Sequence, residues 1–248
     1  MKTFLKTILV ASLLMTVPAV LWAESKNYFT EAATKYQAGN FKEAARLYEK
    51  IIESGDKTAA AHYNLGNAYF RLGKKGRALV EYERALRIAP RDKNLRWNVQ
   101  ILKSSLADRV GEEKSLGHVW RERVLGFFSM SEVAAIFSIC LILLFLFSWA
   151  YRISSTNAFK GTVWFLIVIA GMFAALMMLK WQEEKDPRLV ILDKEVFVRY
   201  GPSPKETKVF LLHEGAKAKV LDRSKKWLYV DIDSRHAGWI PESAGEII

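Results

Sequence analysis

The sequence predicts a multidomain membrane protein with three folded parts: all-α helical repeats, two transmembrane helices and a C-terminal all-β barrel. Three observations predict it. Glycine, alanine and aromatic positions recur at an offset of 34 residues in the first part of the chain. Residues 133–151 and 161–179 are uncharged, mostly apolar runs of 19 residues each. From residue 188 onward the pattern changes to short alternating segments separated by turn residues.

Residues 1–23 have the layout of a secretory signal peptide, in which Lys2 and Lys6 precede an apolar stretch from Ile8 to Trp22 and the small residue Ala23 marks the cleavage point. Without cleavage the segment becomes an anchor that keeps its lysines in the cytoplasm. Either way, residue 24 onward is expected outside.

The offset of 34 pairs Gly39 with Gly73, Ala44 with Ala78, Tyr48 with Tyr82 and Ile51 with Ala85. The second copy, AHYNLGNAYFRLGKKGRALVEYERALRIAP, carries Leu65, Gly66, Tyr69, Gly73, Ala78, Tyr82, Ala85 and Pro90 in an order that resembles a tetratricopeptide repeat. Small residues at Gly66, Ala78 and Ala85 let two antiparallel helices approach, Tyr69 and Tyr82 fill the gaps beside them, and Pro90 stops the second helix. Residues 25–107 therefore read as repeats closed by a capping helix over 94–107. If the first helix of each repeat lines the concave face, as in that family, the wall offers Lys26, Phe29, Tyr63, Asn64, Asn67, Arg71, Trp97 and Asn98. Amides, cations and aromatics on one wall hold an extended peptide or its terminal carboxylate. Asn64 also belongs to the generic repeat pattern, and Trp97 has core packing as its competing reading.

Residues 108–132 form a charged connector that turns aromatic at Trp120, Phe127 and Phe128, as at a headgroup boundary. Ser129 and Glu132 have capping-box spacing. Each following run makes about 28 Å of helix, against a hydrocarbon core of about 30 Å. Neither run has the polar face of a water-soluble helix. Transmembrane helices over 133–151 and 161–179, joined by a cytoplasmic loop over 152–160, form a hairpin that returns the chain to the side it left. Ala134 with Ser138 and Gly171 with Ala175 are small residues four apart, suited to close helix contact. The only cysteine, Cys140, lies inside the first run and reads as packing filler.

In the last part, Leu228, Val230 and Ile232 alternate with Trp227, Tyr229 and Asp231, and turn residues fall at Gly201-Pro202, Glu214-Gly215 and Gly238. The stretches VFVRYGPSP, LHEGAKAKVL, KKWLYVDI and AGWIP over 188–248 resemble the bacterial SH3 domain. That resemblance implies a small barrel with partner-binding residues Tyr200, Trp227 and Trp239. Structural packing is the competing role for the two tryptophans.

The net charge of +11 is unevenly spread, because residues 24–130 hold 20 Lys or Arg against 13 Asp or Glu while residues 182–248 hold 12 of each. A basic surface beside a membrane reads first as attracted to anionic headgroups and next as a site for an acidic protein partner. Export argues against nucleic acid. No GxxxxGK, HExxH or CxxC motif is present, and the four histidines, His62, His118, His213 and His236, are scattered. The reading is therefore noncatalytic, with no metal and no cofactor.

The order of parts, with the stretches PRDKNLRWNVQILKSSLADRV and VWRERVLGFFSMSEVAAIF, resembles the E-type proteins of the bacterial aerotolerance (Bat) operons over nearly the whole chain. Glu31 and Lys35 depart from the repeat consensus, which prefers Leu and an aromatic there. The resemblance implies a scaffold of the bacterial inner membrane with both soluble parts outside the cytoplasm. Its implied partners are the bilayer, von Willebrand A domain membrane proteins and, indirectly, a MoxR-type ATPase. The alternative is a peptidoglycan-binding module displayed on a repeat spacer.

Overall fold

A computed structural model of the chain describes residues 27–108, 124–154, 157–185, 187–232 and 236–248. The signal peptide, Lys26, Trp120 and most of the connector lie outside the described residues. The chain divides into two compact units, Met1–Ala85 and Leu86–Ile248.

The first unit consists of α1 (described over 27–37), α2 (Phe41–Glu53), α3 (Ala59–Arg71) and α4 (Lys75–Ile88), whose last three residues belong to the second unit. The offset of 34 is a structural repeat. Gly39 and Gly73 follow α1 and α3 at φ 79° and 73°, the left-handed region in which a helix is terminated at least cost by glycine. Their amides donate to the carbonyls of Tyr36 and Phe70, and the next amides, of Asn40 and Lys74, donate to Lys35 and Tyr69. All these partners are themselves 34 apart. The matched side chains Ala44, Tyr48 and Ile51 on α2, and Ala78, Tyr82 and Ala85 on α4, are all buried. Gly66 permits the closest approach: a Cβ there would stand 2.5 Å from the Tyr82 ring.

In the second unit, α5 (Lys93–Ser104) is capped by Asp92, whose Oδ1 accepts from the amides of Asn94 and Leu95 at 2.9 and 3.0 Å. Two long helices follow, α6 (Met130–Ser154) and α7 (Asn157–Lys185). The capping box at the start of α6 forms: the Ser129 amide donates to Glu132 Oε2 at 2.9 Å, and the Glu132 amide donates to Ser129 Oγ at 3.2 Å. Both helices are long and apolar enough to cross a membrane, and only 11% and 6% of their most apolar windows are buried. A core helix of a soluble protein would be mostly buried. Here Ile142, Phe145, Trp149, Trp164, Phe165 and Val168 are exposed.

The two helices run antiparallel, with the rings of Phe147 and Phe159 meeting near one end and those of Phe128 and Phe173 near the other. Cys140, Leu166 and Ala170 are buried along them. The small-residue expectation fails. A Cβ on Gly171 would meet nothing within 4 Å, Ala175 is exposed, and Ser138 turns its hydroxyl back to the Ala134 carbonyl at 2.8 Å. Small residues four apart set a face without saying which way it points, and here Val133, Cys140, Leu166 and Ala170 are the buried residues along the pair.

The C-terminal part is a seven-stranded antiparallel sheet. Its strands are β1 (Arg188–Ile191), β2 (Glu195–Arg199), β3 (Lys208–His213), β4 (Lys217–Ser224), β5 (Trp227–Asp231), β6 (Ala237–Pro241) and β7 (Gly245–Ile247). The order β3-β2-β6-β5-β4-β1-β7 leaves β3 and β7 at opposite ends, so the expected barrel is an open ladder in its hydrogen bonding. Leu228, Val230 and Ile232 face a core with Leu189, Ile191, Val198 and Ile240, the side that the alternation selected.

The chain before α6 meets the chain after α7. Asp108 accepts from the His213 backbone amide at 2.6 Å and lies 2.8 Å from its Nδ1, while the Leu106 side chain covers Gly215, where a Cβ would meet it at 2.5 Å. At the start of α6, Arg91 pairs with Glu132 and lies over the rings of Phe127 and Phe128, and Lys180 donates to the Leu125 carbonyl at 2.6 Å.

Candidate interaction surfaces

Of the residues assigned to the repeat wall, Phe29, Tyr63, Asn64, Asn67 and Arg71 lie in the first unit, and Trp97 and Asn98 lie on α5 in the second. Several have structural duties. Phe29 packs edge-on against Tyr48 with ring centroids 5.6 Å apart. Tyr63 lies 6.0 Å from the Tyr82 ring, and Asn67 Oδ1 accepts from the Tyr82 hydroxyl at 2.7 Å. Tyr63 and Asn67 are thus brought together by a buried tyrosine, which satisfies its hydroxyl through the asparagine. Arg71 is exposed, with its guanidinium over the Phe41 ring at 4.5 Å. Trp97 is 62% exposed, so the core reading of this residue does not hold. Glu31 and Lys35, the departures from the consensus, line a shallow groove along α1 with Asn27 and Thr34.

On the sheet, Trp227, Tyr229 and Trp239 lie on the face opposite the core and are half-buried. The cross-strand pair Tyr229 and Trp239 has ring centroids 5.2 Å apart, and Arg199 is the register partner of Trp239 on β2. Neither tryptophan enters the core. Tyr200 follows β2 and is 72% exposed. Phe197 lies outward on β2, with the Lys208 ammonium over its ring at 3.9 Å.

Three polar groupings were not legible in the sequence. His62 Nδ1 and Glu81 Oε2 are 2.6 Å apart in the interior, and the other Glu81 oxygen accepts from Arg84 at 2.7 Å. A buried carboxylate with both oxygens engaged is the arrangement that offsets its desolvation. The Tyr69 hydroxyl donates to Glu49, and burial, followed by that acceptor, pushes its pKa up to about 12 even though Arg77 opposes the shift. Third, His213 has Asp108 as its partner rather than its neighbour Glu214. Each grouping contains a link between residues at least 19 apart, beyond the reach of a local motif. Among the described residues, no group of three His, Cys, Asp or Glu is placed to hold a metal ion.

Stacked helix pairs, a repeated glycine terminus and aromatic plugs against small residues define a helical-repeat unit. A tetratricopeptide repeat family model matches residues 29–93. A stretch of 102 residues is 33% identical to G-protein-signaling modulator 1 of Homo sapiens, which covers 39% of this chain and 13% of that protein. The chain therefore matches only about an eighth of that relative's length.

Proposed function

We propose that this chain is a membrane-anchored, noncatalytic adaptor of a bacterial envelope complex, of the kind found with the E-type aerotolerance proteins. The repeats hold a segment of one partner, the two long helices span the inner membrane, and the C-terminal SH3-like module touches a second partner outside the cytoplasm. The partners that the sequence resemblance implies are von Willebrand A domain membrane proteins, with a MoxR-type ATPase reached through them. The observation that carries the reading is one chain holding both tetratricopeptide repeats and a helix pair with outward-facing large apolar side chains. The link from Asp108 to His213 favours a hairpin topology, because it requires the segments flanking the helix pair to share a compartment.

The test is co-purification of the full chain with its membrane neighbours from detergent. Tyr63 and Asn67 also hold Tyr82, so the informative variant changes only exposed wall residues, Arg71→Glu with Trp97→Ala. It is expected to keep its helical signal and lose the partner. Unchanged recovery removes the repeat wall as the binding surface. For orientation, a protease-accessible tag at residue 154 but not at the C-terminus, in intact spheroplasts, overturns the outside placement.

A second reading draws on the outward Tyr229 and Trp239 pair beside Arg199, which offers a stacking platform for cell-wall material. There the full chain pellets with peptidoglycan, Trp239→Ala releases it, and the Arg71→Glu, Trp97→Ala variant does not.

A further inference from the structure

A second groove in the first unit lies where α2 and α4 begin, and it adjoins the wall discussed above at Phe41, whose ring lies under the Arg71 guanidinium. It encloses about 770 Å³, within the range of ligand clefts. Its lining includes four cations, Lys42, Arg46, Lys74 and Arg77, against two carboxylates, Glu43 and Glu49. Both carboxylates are already engaged. Glu43 accepts from Arg46 at 2.6 Å, and Glu49 accepts from the Tyr69 hydroxyl. The floor is the Tyr69 ring, with the Lys74 ammonium 5.9 Å and the Arg77 guanidinium 5.6 Å from its centroid. Lys42 and Lys74 stand exposed at the rim.

We propose that this groove binds an acidic peptide segment of a partner protein. The charge is complementary: two carboxylates satisfied from within leave an excess of positive charge around a recessed aromatic floor. The shape selects the class of ligand. Lipid headgroups are met by basic residues that protrude toward a surface, whereas a recess of this volume takes in a ligand that protrudes, such as successive Asp or Glu side chains on an extended chain. Carboxylate oxygens at the rim gain charge-assisted hydrogen bonds from Lys42 and Lys74, and the peptide stem covers Tyr69. The amino-terminal ends of α2 and α4 add potential of the same sign. Lys42 and Lys74 are not among the residues of the wall discussed above, so variants at them test this groove separately.

The experiment uses the full chain in nanodiscs of zwitterionic lipid and a fluorescein-labelled hexaglutamate peptide, read by anisotropy at low salt. Saturable binding is expected that weakens steeply with added salt, with none for hexaglutamine. Lys42→Glu with Lys74→Glu is expected to weaken it at least tenfold. Because both lysines are exposed, circular dichroism should be unchanged, and Lys42→Gln with Lys74→Gln should give an intermediate loss. Trp97→Ala, at a wall residue that does not line the groove, should retain binding. Absence of saturable binding overturns the proposal, as does an equal loss from the reversal Lys57→Glu with Lys93→Glu, which changes none of the residues that line the groove. Phosphatidylserine in the nanodisc that displaces the peptide through Lys42 and Lys74 assigns the groove to headgroups and overturns the peptide reading.

Discussion

The repeat helices and the two long helices use one secondary structure in opposite ways. In α2 to α4 the interior holds Leu47, Ile51, Leu65, Leu79 and Val80 together with the alanines and tyrosines of the repeat, and, Glu81 apart, the charged side chains stand outside. In α6 and α7 the large side chains stand outside and a cysteine, an alanine and a leucine are buried along the pair. The difference teaches that the exposed face reports the surroundings. A helix in water hides a stripe, while a helix in hydrocarbon has no reason to hide one.

The sharpest way to break this comparison is to place a charge on an outward residue of each class. Val168→Lys puts an ammonium on the exposed face of α7 and is expected to raise the apparent insertion free energy by about 3 kcal/mol, read as release of the chain by alkaline wash. Full membrane retention would break the lipid-facing reading. An exposed repeat position such as Lys57, changed to Glu, should alter thermal stability by less than about 0.5 kcal/mol.

Glycine gives a second contrast. Gly66→Ala drives a methyl into the Tyr82 ring and is expected to destabilise the repeats by about 2 kcal/mol in chemical denaturation. Gly171→Ala enters open space and should leave the helix pair unchanged within about 0.5 kcal/mol. Equal effects would mean that the small residues play the same part in both regions.

A pH-dependent effect concerns Tyr69. Its folded pKa of about 12 lies above the ordinary value of 10, so the folded state keeps the proton longer than the unfolded state. The associated stability is fully present below pH 10 and falls as pH rises toward 12, by at most about 2 kcal/mol. Tyr69→Phe should flatten that decline relative to the parent, measured by denaturation at pH 9 and pH 11. An equal decline in both proteins would place the alkaline sensitivity elsewhere.

The sequence showed most where the physics is local. An offset of 34 exposes Gly39 with Gly73 and Tyr48 with Tyr82, because each repeat must solve the same packing problem. Alternation in β5 picks the buried face, since a slip by one residue would reverse it. Lipid-length apolar runs were equally plain. The small-residue pair at Gly171 and Ala175 misled because helical spacing fixes a face without fixing its rotation toward a neighbour. Strand closure was also beyond reach, because ladder order depends on pairings between distant segments. On the wall, residue types pointed toward recognition, but Asn67 and Tyr63 turned out to hold Tyr82. Tyr69 read as a gap filler and also forms the floor of a charged groove. Sequence reasoning sees one role per residue, and packing assigns a second.

The contact of Asp108 with His213 has a consequence in time. The two residues leave the ribosome 105 positions apart, which at 5–20 residues per second is a delay of about 5–20 s. During that interval both apolar helices are made, and Leu106 and Asp108 await partners not yet synthesised. The junction is therefore a late event in biogenesis, and it can close only after both long helices have been made.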